Sequence, residues 1–180
     1  MVTALSQLAN ELDTTERTLR RAVQEGLVRG HRVSPRKLEM PISERTYLRE
    51  NWPVLRELRE ALRTEPSVRA AILFGSYARG EQHEASDIDI LVGRQPGPGL
   101  REVARRLSAR LGRPTQLIAL EDAEKAPLLL AEVLRDGRVL VDRDETWDRL
   151  GSAKATIERR AVRERRRIDS ELAAAFGSAA

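Results

Sequence analysis

Residues 70–93, AAILFGSYARGEQHEASDIDILVG, constrain the fold of this chain more than any other stretch. An apolar run ends in Gly75-Ser76, and after ten intervening residues comes Asp87-Ile88-Asp89, set inside a second apolar run. Side chains alternate along a strand, so Ile88, Ile90 and Val92 share one face while Asp87, Asp89 and Leu91 share the other. Alternate strand residues lie roughly 6.5–7 Å apart, close enough for two carboxylates to converge on one cation. Asp is a poor strand former, and two like charges on one face repel; a divalent ion removes that penalty. Gly75 permits a tight turn and close backbone approach, and a short helix beginning near Ser76 offers free N–H groups and a hydroxyl to an anion. Phosphate beside a two-carboxylate metal site is what nucleoside triphosphate binding needs. Arg79, one turn further, is within reach of such a phosphate.

Composition narrows the choice of metal. Cysteine is absent, which excludes disulfides and cysteine–zinc sites, and His31 and His83 are lone residues without a ligand pattern. The ion must therefore be held by oxygen, which points to Mg2+ or Mn2+. With 180 residues, 41% of them apolar and 33% charged, the chain suits one or two small domains with a real core. It carries no leader-like apolar stretch and no run long enough to span a bilayer, so a cytoplasmic protein without a membrane partner is expected. The net charge is +4, and Lys37, Lys125 and Lys154 are the only lysines. Arginine pairs with phosphate in a fixed fork, so the charge suits a nucleotide or nucleic acid, though solvated helix faces explain it equally well. Aromatics at 3% argue against a stacking platform for single strands.

Pattern divides the chain into residues 1–42, 43–65, 66–142 and 143–180. Within 43–63, Ser43 is a candidate cap, Tyr47, Leu48, Leu55, Leu58 and Leu62 form a helical stripe, and Pro53 should kink or split the helix after Trp52. From 67 to 142 the elements alternate: strand 68–74, strand 88–92, helix 99–111, strand 115–119, helix 122–135 and strand 138–141, with a loop at 93–99. That alternation predicts an α+β fold built on a small mixed sheet with flanking helices. Residues 144–176 predict a last helix, interrupted at Gly151. Its arginine run, 158–167, reads as a charged helix with Glu158 and Glu164 offsetting part of the charge.

The segment GSYARGEQHEASDIDILV resembles the minimal nucleotidyltransferase branch of the DNA polymerase β superfamily, whose signature is Gly-Ser, ten residues, then Asp-x-Asp. The resemblance covers residues 66–142. It implies that Gly75 and Ser76 hold the terminal phosphates, that Asp87 and Asp89 ligate magnesium, and that an acceptor hydroxyl attacks the α-phosphate with release of pyrophosphate. The family usually carries a third carboxylate on the next strand. Here that strand is TQLIAL, and the matching position is Gln116, a neutral amide that can orient a hydroxyl but is no general base. The acids nearest in sequence, Glu121 and Asp122, would have to fold back to replace it. The resemblance also implies a small helical toxin as a protein partner.

The first part offers a different function. Residues 5–28 read as helix, tight turn, helix, with stripes of Leu5, Leu8, Ala9 and Leu12, then Leu19, Ala22 and Val23. Asp13 is the expected cap of the second helix, with Glu16 completing a capping box. Arg17, Arg20, Arg21 and Gln24 fall away from the apolar stripe, as on a helix that enters the major groove of double-stranded DNA. The segment resembles bacterial helix-turn-helix regulators of a winged or MerR-like kind, with the basic stretch 29–37 as the wing; a plain helical hairpin with a solvated arginine face fits the same pattern. The expected protein thus joins an all-α, winged helix-turn-helix domain to a nucleotidyltransferase domain, acting either as a transferase or as a nucleotide-sensing regulator or antitoxin.

Overall fold

The computed structural model describes residues 4–34, 37–95 and 99–177, so parts of the predicted wing (35–36) and of the predicted 93–99 loop (96–98) lie outside the described residues. The chain begins with two short helices, α1 (Ala4–Glu11) and α2 (Glu16–Gln24). The expected Asp13 cap is not formed. Asp13 takes a left-handed turn at φ 47°, and Thr14 N–H donates to Ala9 O at 2.9 Å, which leaves Thr15 at the N-cap. The Thr15 hydroxyl accepts from the Thr18 N–H at 3.1 Å. Glu16 is then the first residue of the helix rather than the third, so it cannot complete a capping box; it accepts from Ser6 and, at 3.2 Å, from Arg20 instead.

A two-stranded antiparallel hairpin follows, β1 (His31–Arg32) with β2 (Leu38–Glu39), and then α3 (Ile42–Arg63). Ser43 does not cap α3, because the helix already starts after Pro41 and Ser43 lies inside its first turn. Nor does Pro53 divide it. The proline ring is exposed while Trp52 and Leu55 are buried, and the packing of that face holds the helix across the missing N–H.

The remaining elements are β3 (Val68–Phe74), α4 (Gly75–Arg79), β4 (Ile88–Arg94), α5 (Leu100–Leu111), β5 (Thr115–Ala119), α6 (Leu120–Ala123), α7 (Pro127–Asp136), β6 (Arg138–Asp142), α8 (Thr146–Ser152) and α9 (Lys154–Gly177). The sheet order is β5-β4-β3-β6, with β3 antiparallel to β4 and β6, and β4 parallel to β5, so the fold is α+β on a small mixed sheet. The single helix expected over 122–135 is two. Pro127 has no N–H to continue the first and its fixed φ suits the first position of the second. The last helix breaks at Ala153, not at Gly151: Leu150 and Ile157 both turn into the core there, and Ala153 N–H closes α8 on Leu150 O. Among the described residues no helix is long and apolar enough to cross a membrane.

The strands sort their side chains as alternation requires. Ala71, Leu73, Ile88, Ile90 and Val92 enter one apolar cluster with α1, α2, α3 and α5. Ile72, Phe74 and Leu91 enter a second with α6, α7, α8 and α9. Near the edge of the sheet is a buried ion pair. Arg138, at the start of β6 and 1% exposed, grips Glu44 of α3 with two bonds of 2.6 and 2.9 Å. Its Nε donates to Ala78 O at 2.7 Å, and its guanidinium lies 3.6 Å from the centre of the Tyr47 ring. Glu44 also accepts from Arg29 N–H at 2.9 Å. Burial pushes the Tyr47 phenol up to about 12, with Arg138 acting in the opposite direction.

Removing one partner of a buried, hydrogen-bonded pair strands the other charge. Arg138→Met should therefore lower the unfolding free energy in urea by about 3–5 kcal/mol, and Arg138→Met with Glu44→Leu should recover part of that loss. A single-variant loss below about 1 kcal/mol would show that the pair contributes little.

Candidate active site

Strand β3 runs in extended conformation to Phe74, and the chain then turns at Gly75 with φ +71°, a left-handed value that glycine adopts without cost. A side chain here is also excluded by contact, since a Cβ on Gly75 would lie 2.9 Å from Asp89 Oδ2. The Gly-Ser turn and the second acid of the Asp-x-Asp pair thus meet across the pairing of β3 with β4. Ser76 follows, half-buried, in the first turn of α4.

Asp87 is exposed just before β4, and Asp89 is half-buried within it. Asp89 pairs with Phe74 on β3 and with Gln116 on β5, so the exposed amide of Gln116 stands beside Asp89 on the neighbouring strand. Asp87 and Gln116 also share the wall of a shallow groove of about 380 Å3, with Arg101 and Pro114. Glu121 and Asp122 do not fold back. They sit on α6, beyond the opposite end of β5, roughly 13 Å of strand from Gln116, and Asp122 pairs with Lys125 at 3.1 Å.

Burial lifts the Asp89 carboxyl above the usual carboxylate range, and the neighbouring charges of Asp87 and Glu132 lift it further. Glu132, on α7, is the acid that sequence reasoning missed. Its only sequence signal is a place four residues before Asp136, opposite the buried stripe of Leu130, Val133 and Leu134. Arg79 is committed elsewhere than to the turn: it bonds Glu81 at 2.6 Å, Asp136 at 2.8 Å and Glu132 at 3.4 Å. The Glu81 and Asp136 bonds raise its pKa, and Arg135 with Arg79 hold Asp136 below its ordinary value although burial works against that. Among the described residues no three acidic or histidine side chains form a ready metal cage.

The other predicted residues lie apart from this site. Arg17, Arg21 and Gln24 are exposed on α2 and Arg20 is partly covered; Arg20 pairs with Glu16 and Arg21 with Glu25. Helix α2 buries Leu19 and Ala22 in the cluster on the sheet face opposite Asp89.

Residues 56–146, half of the chain, match the family described as Polymerase beta, Nucleotidyltransferase. The chain belongs to this family. Among curated relatives from Methanocaldococcus jannaschii, "Putative protein adenylyltransferase MJ1379" is 51% identical over 45 residues, covering 25% of this chain and 45% of that protein. "Putative protein adenylyltransferase MJ0128" is 36% identical over 86 residues, covering 46% of this chain and 87% of the relative. In the stretches of highest identity the chain spans about half the length of the relatives it matches. Of solved structures, the nucleotidyltransferase fold is similar to a chain of "the toxin-antitoxin with AMP-PNP", with a TM-score of 0.54 and 25% identity over 66% of this chain and 97% of that one. A chain of "the toxin-antitoxin MntA-HpeT mutant-Y104A" gives 0.52 and 26% over 68% and 96%.

A carboxyl whose pKa is raised by the fold adds stability below its unfolded value, near 3.9, and that contribution is lost as pH rises through the folded value. Metal-free Asp89→Asn should therefore melt above the metal-free wild type at pH 7, and the difference should close as pH falls towards about 4. Magnesium with ATP at 100 times its Kd should stabilise the wild type by about 2.7 kcal/mol and the variant far less. Equal calorimetric shifts in the two proteins would rule out a metal role for Asp89.

Proposed function

We propose that the protein is a cytoplasmic, magnesium- or manganese-dependent nucleotidyltransferase that moves an adenylyl group from ATP to a hydroxyl on a protein partner. The observation that carries this reading is the contact between the Gly75 turn and the Asp89 carboxylate, with Asp87 on the same strand face. Asp89 is destabilised by Asp87 and Glu132, an excess of acid that fits a divalent cation. Asp87 and Asp89 would hold the ion, which when bound neutralises phosphate charge and activates the acceptor oxygen. The Ser76 hydroxyl and the first N–H groups of α4 would donate to phosphate oxygens. Arriving phosphates compete with Asp136, Glu81 and Glu132 for Arg79.

In the reaction the acceptor oxygen forms a bond to the α-phosphorus, the bond from that phosphorus to the α–β bridging oxygen breaks, and pyrophosphate leaves with the electron pair. The groove beside Asp87 and Gln116 is where the acceptor hydroxyl enters. The Gln116 amide can orient this hydroxyl but cannot take its proton, which leaves to water. Transfer is consequently slow. The names of the relatives and the AMP-PNP of the similar toxin-antitoxin complex support the adenylyl group and the protein acceptor, and the same likeness supports an antitoxin-like role opposite a helical toxin.

A second activity is favoured by the surface of α2. Arg17, Arg20, Arg21 and Gln24 line an open concavity of about 780 Å3 together with Arg32 of the β1–β2 hairpin. Helix, turn, helix and basic hairpin in that order suit a winged reader of double-stranded DNA, the helix in the major groove and the hairpin on phosphates, and this unit would bring transcriptional control.

General-base assistance is commonly worth about a hundred-fold to ten-thousand-fold, so Gln116→Asp should raise transfer of label from α-labelled ATP by at least about tenfold while leaving ATP affinity near the wild-type value. Asp87→Asn should abolish it in either background. Brisk wild-type transfer that Gln116→Asp leaves unchanged would remove Gln116 from the account. For DNA, Arg17→Ala with Arg20→Ala should weaken binding to the protein's own promoter and flatten the dependence of log K on log salt by about one unit for each phosphate no longer neutralised. An unchanged salt slope would dismiss the α2 surface.

A further inference from the structure

Helix α2 ends at Glu25 and the chain reverses at Gly26, φ +78°, whose carbonyl accepts from Val139 N–H of β6 at 3.1 Å. Between α2, α3, β6 and α8 this reversal leaves a cleft of about 550 Å3, within the size range of small-molecule sites. Arg21, Arg59, Arg63 and Arg143 line it. Three of these converge on the single carboxylate of Glu25: Arg21 at 2.6 Å, Arg59 in direct contact and Arg63 at 3.5 Å. One negative charge against three leaves the cluster short of anion. Arg59 is the most enclosed, its side chain 12% exposed, and its Nε is buried without a hydrogen-bond partner. Burial first, then the charges of Arg63 and Arg21, pull its pKa down to about 10. Burial, Arg21 and Arg143 lower that of Arg63.

Asp142, Glu145 and Asp148 also line the cleft, so its formal charges balance, but among the described residues no ion pair joins them to these arginines. Asp142 uses both carboxylate oxygens on the N–H groups of Thr146 and Trp147, at 2.9 and 3.0 Å, and so caps α8. Glu145 and Asp148 are exposed on the α8 side. Trp147 contributes a half-buried indole to the same wall, packed close to Gly26. The cleft therefore offers at one end three arginines that share one carboxylate, an aromatic ring on its wall, and carboxylates suited to hydroxyl or amino donors at its rim.

We propose that this cleft binds a nucleotide, its phosphates on Arg59, Arg63 and Arg21 and its base against Trp147, as a site separate from the Asp87–Asp89 centre. Phosphate oxygens meet the unsatisfied Arg59 Nε and relieve the repulsion among the arginines. No metal is needed, because the arginines supply the charge. That property separates the two sites experimentally.

The test uses the full chain carrying Asp87→Asn and Asp89→Asn, in EDTA, so that the metal-dependent centre is silent. ATP titrated calorimetrically should bind at one site and change the indole emission. Trp147→Phe should abolish the emission change, since Trp52, the other tryptophan, is buried away from the cleft. Arg63 is nearly half exposed, and Arg63→Gln should weaken ATP by at least about tenfold while Arg63→Lys retains most of the affinity. If Arg63→Gln disturbs folding, the emission change in the otherwise unaltered cleft still decides. Absence of ATP binding in EDTA, an emission change that survives Trp147→Phe, or ATP affinity untouched by Arg63→Gln in a folded variant would overturn the proposal. So would tripolyphosphate binding as tightly as ATP, since the base would then contribute nothing.

Discussion

The Arg138–Glu44 pair organises the molecule because each of its groups is bonded to a different element. Arg138 belongs to β6, Glu44 to α3, the carbonyl of Ala78 to α4, and the N–H of Arg29 to the segment after α2. A buried ion pair is not in itself a strong source of stability, since desolvation offsets most of the attraction. Its effect is geometric: every lone pair and proton must find its partner, which allows few arrangements of the elements around it. The consequence reaches the active centre through α4. Tyr47 donates to Tyr77 O at 3.0 Å, and its ring packs so closely on Gly80 that a Cβ there would meet it at 2.9 Å. The five-residue helix that begins with Gly75-Ser76 is therefore held from behind at Tyr77, Ala78 and Gly80, and its front is left open to Asp89.

The charges are distributed unevenly, and the unevenness matches the chemistry. Asp136 is a structural acid, provided with both Arg135 and Arg79 and held below its ordinary pKa. Asp89 is pushed the other way by burial and by two further carboxylates. A chain so rich in arginine does not lack cations for its acids. The surplus of negative charge at the Gly75 turn is a local arrangement that a bound cation would relieve, whereas at Glu25 three arginines share one carboxylate.

The parts legible in the sequence were those decided by near neighbours. Alternation placed strands at 68–74, 88–92, 115–119 and 138–141; the second runs on to Arg94, into the expected loop, and the last to Asp142, while the sorting of Ile88, Ile90 and Leu91 to opposite faces needs only the pleat. The Gly-Ser and Asp-x-Asp residues could be joined because their spacing is short and their chemistry is complementary. Helix ends were harder. Asp13 and Thr15 compete for one cap, and a hydrogen bond to Ala9 settles it; Ala153 rather than Gly151 ends α8 because Leu150 and Ile157 both seek the same core. The Arg138–Glu44 pair and the approach of Glu132 to Asp89 depend on residues distant in sequence, and no local pattern announces either.

The amino-terminal helices and the sheet are not separated by solvent. Leu5, Leu19 and Leu27 belong to the same buried cluster as Leu73 and Ile90, so neither part can shift freely against the other. Communication between the two surfaces then needs a local exchange of partners. Arg79 is suited to that role. It shares Asp136 with Arg135, and the carbonyl of the same Asp136 accepts from Arg29, which follows α2, at 3.1 Å. Asp136 is thus the residue at which the contacts of α4 and of the segment after α2 meet.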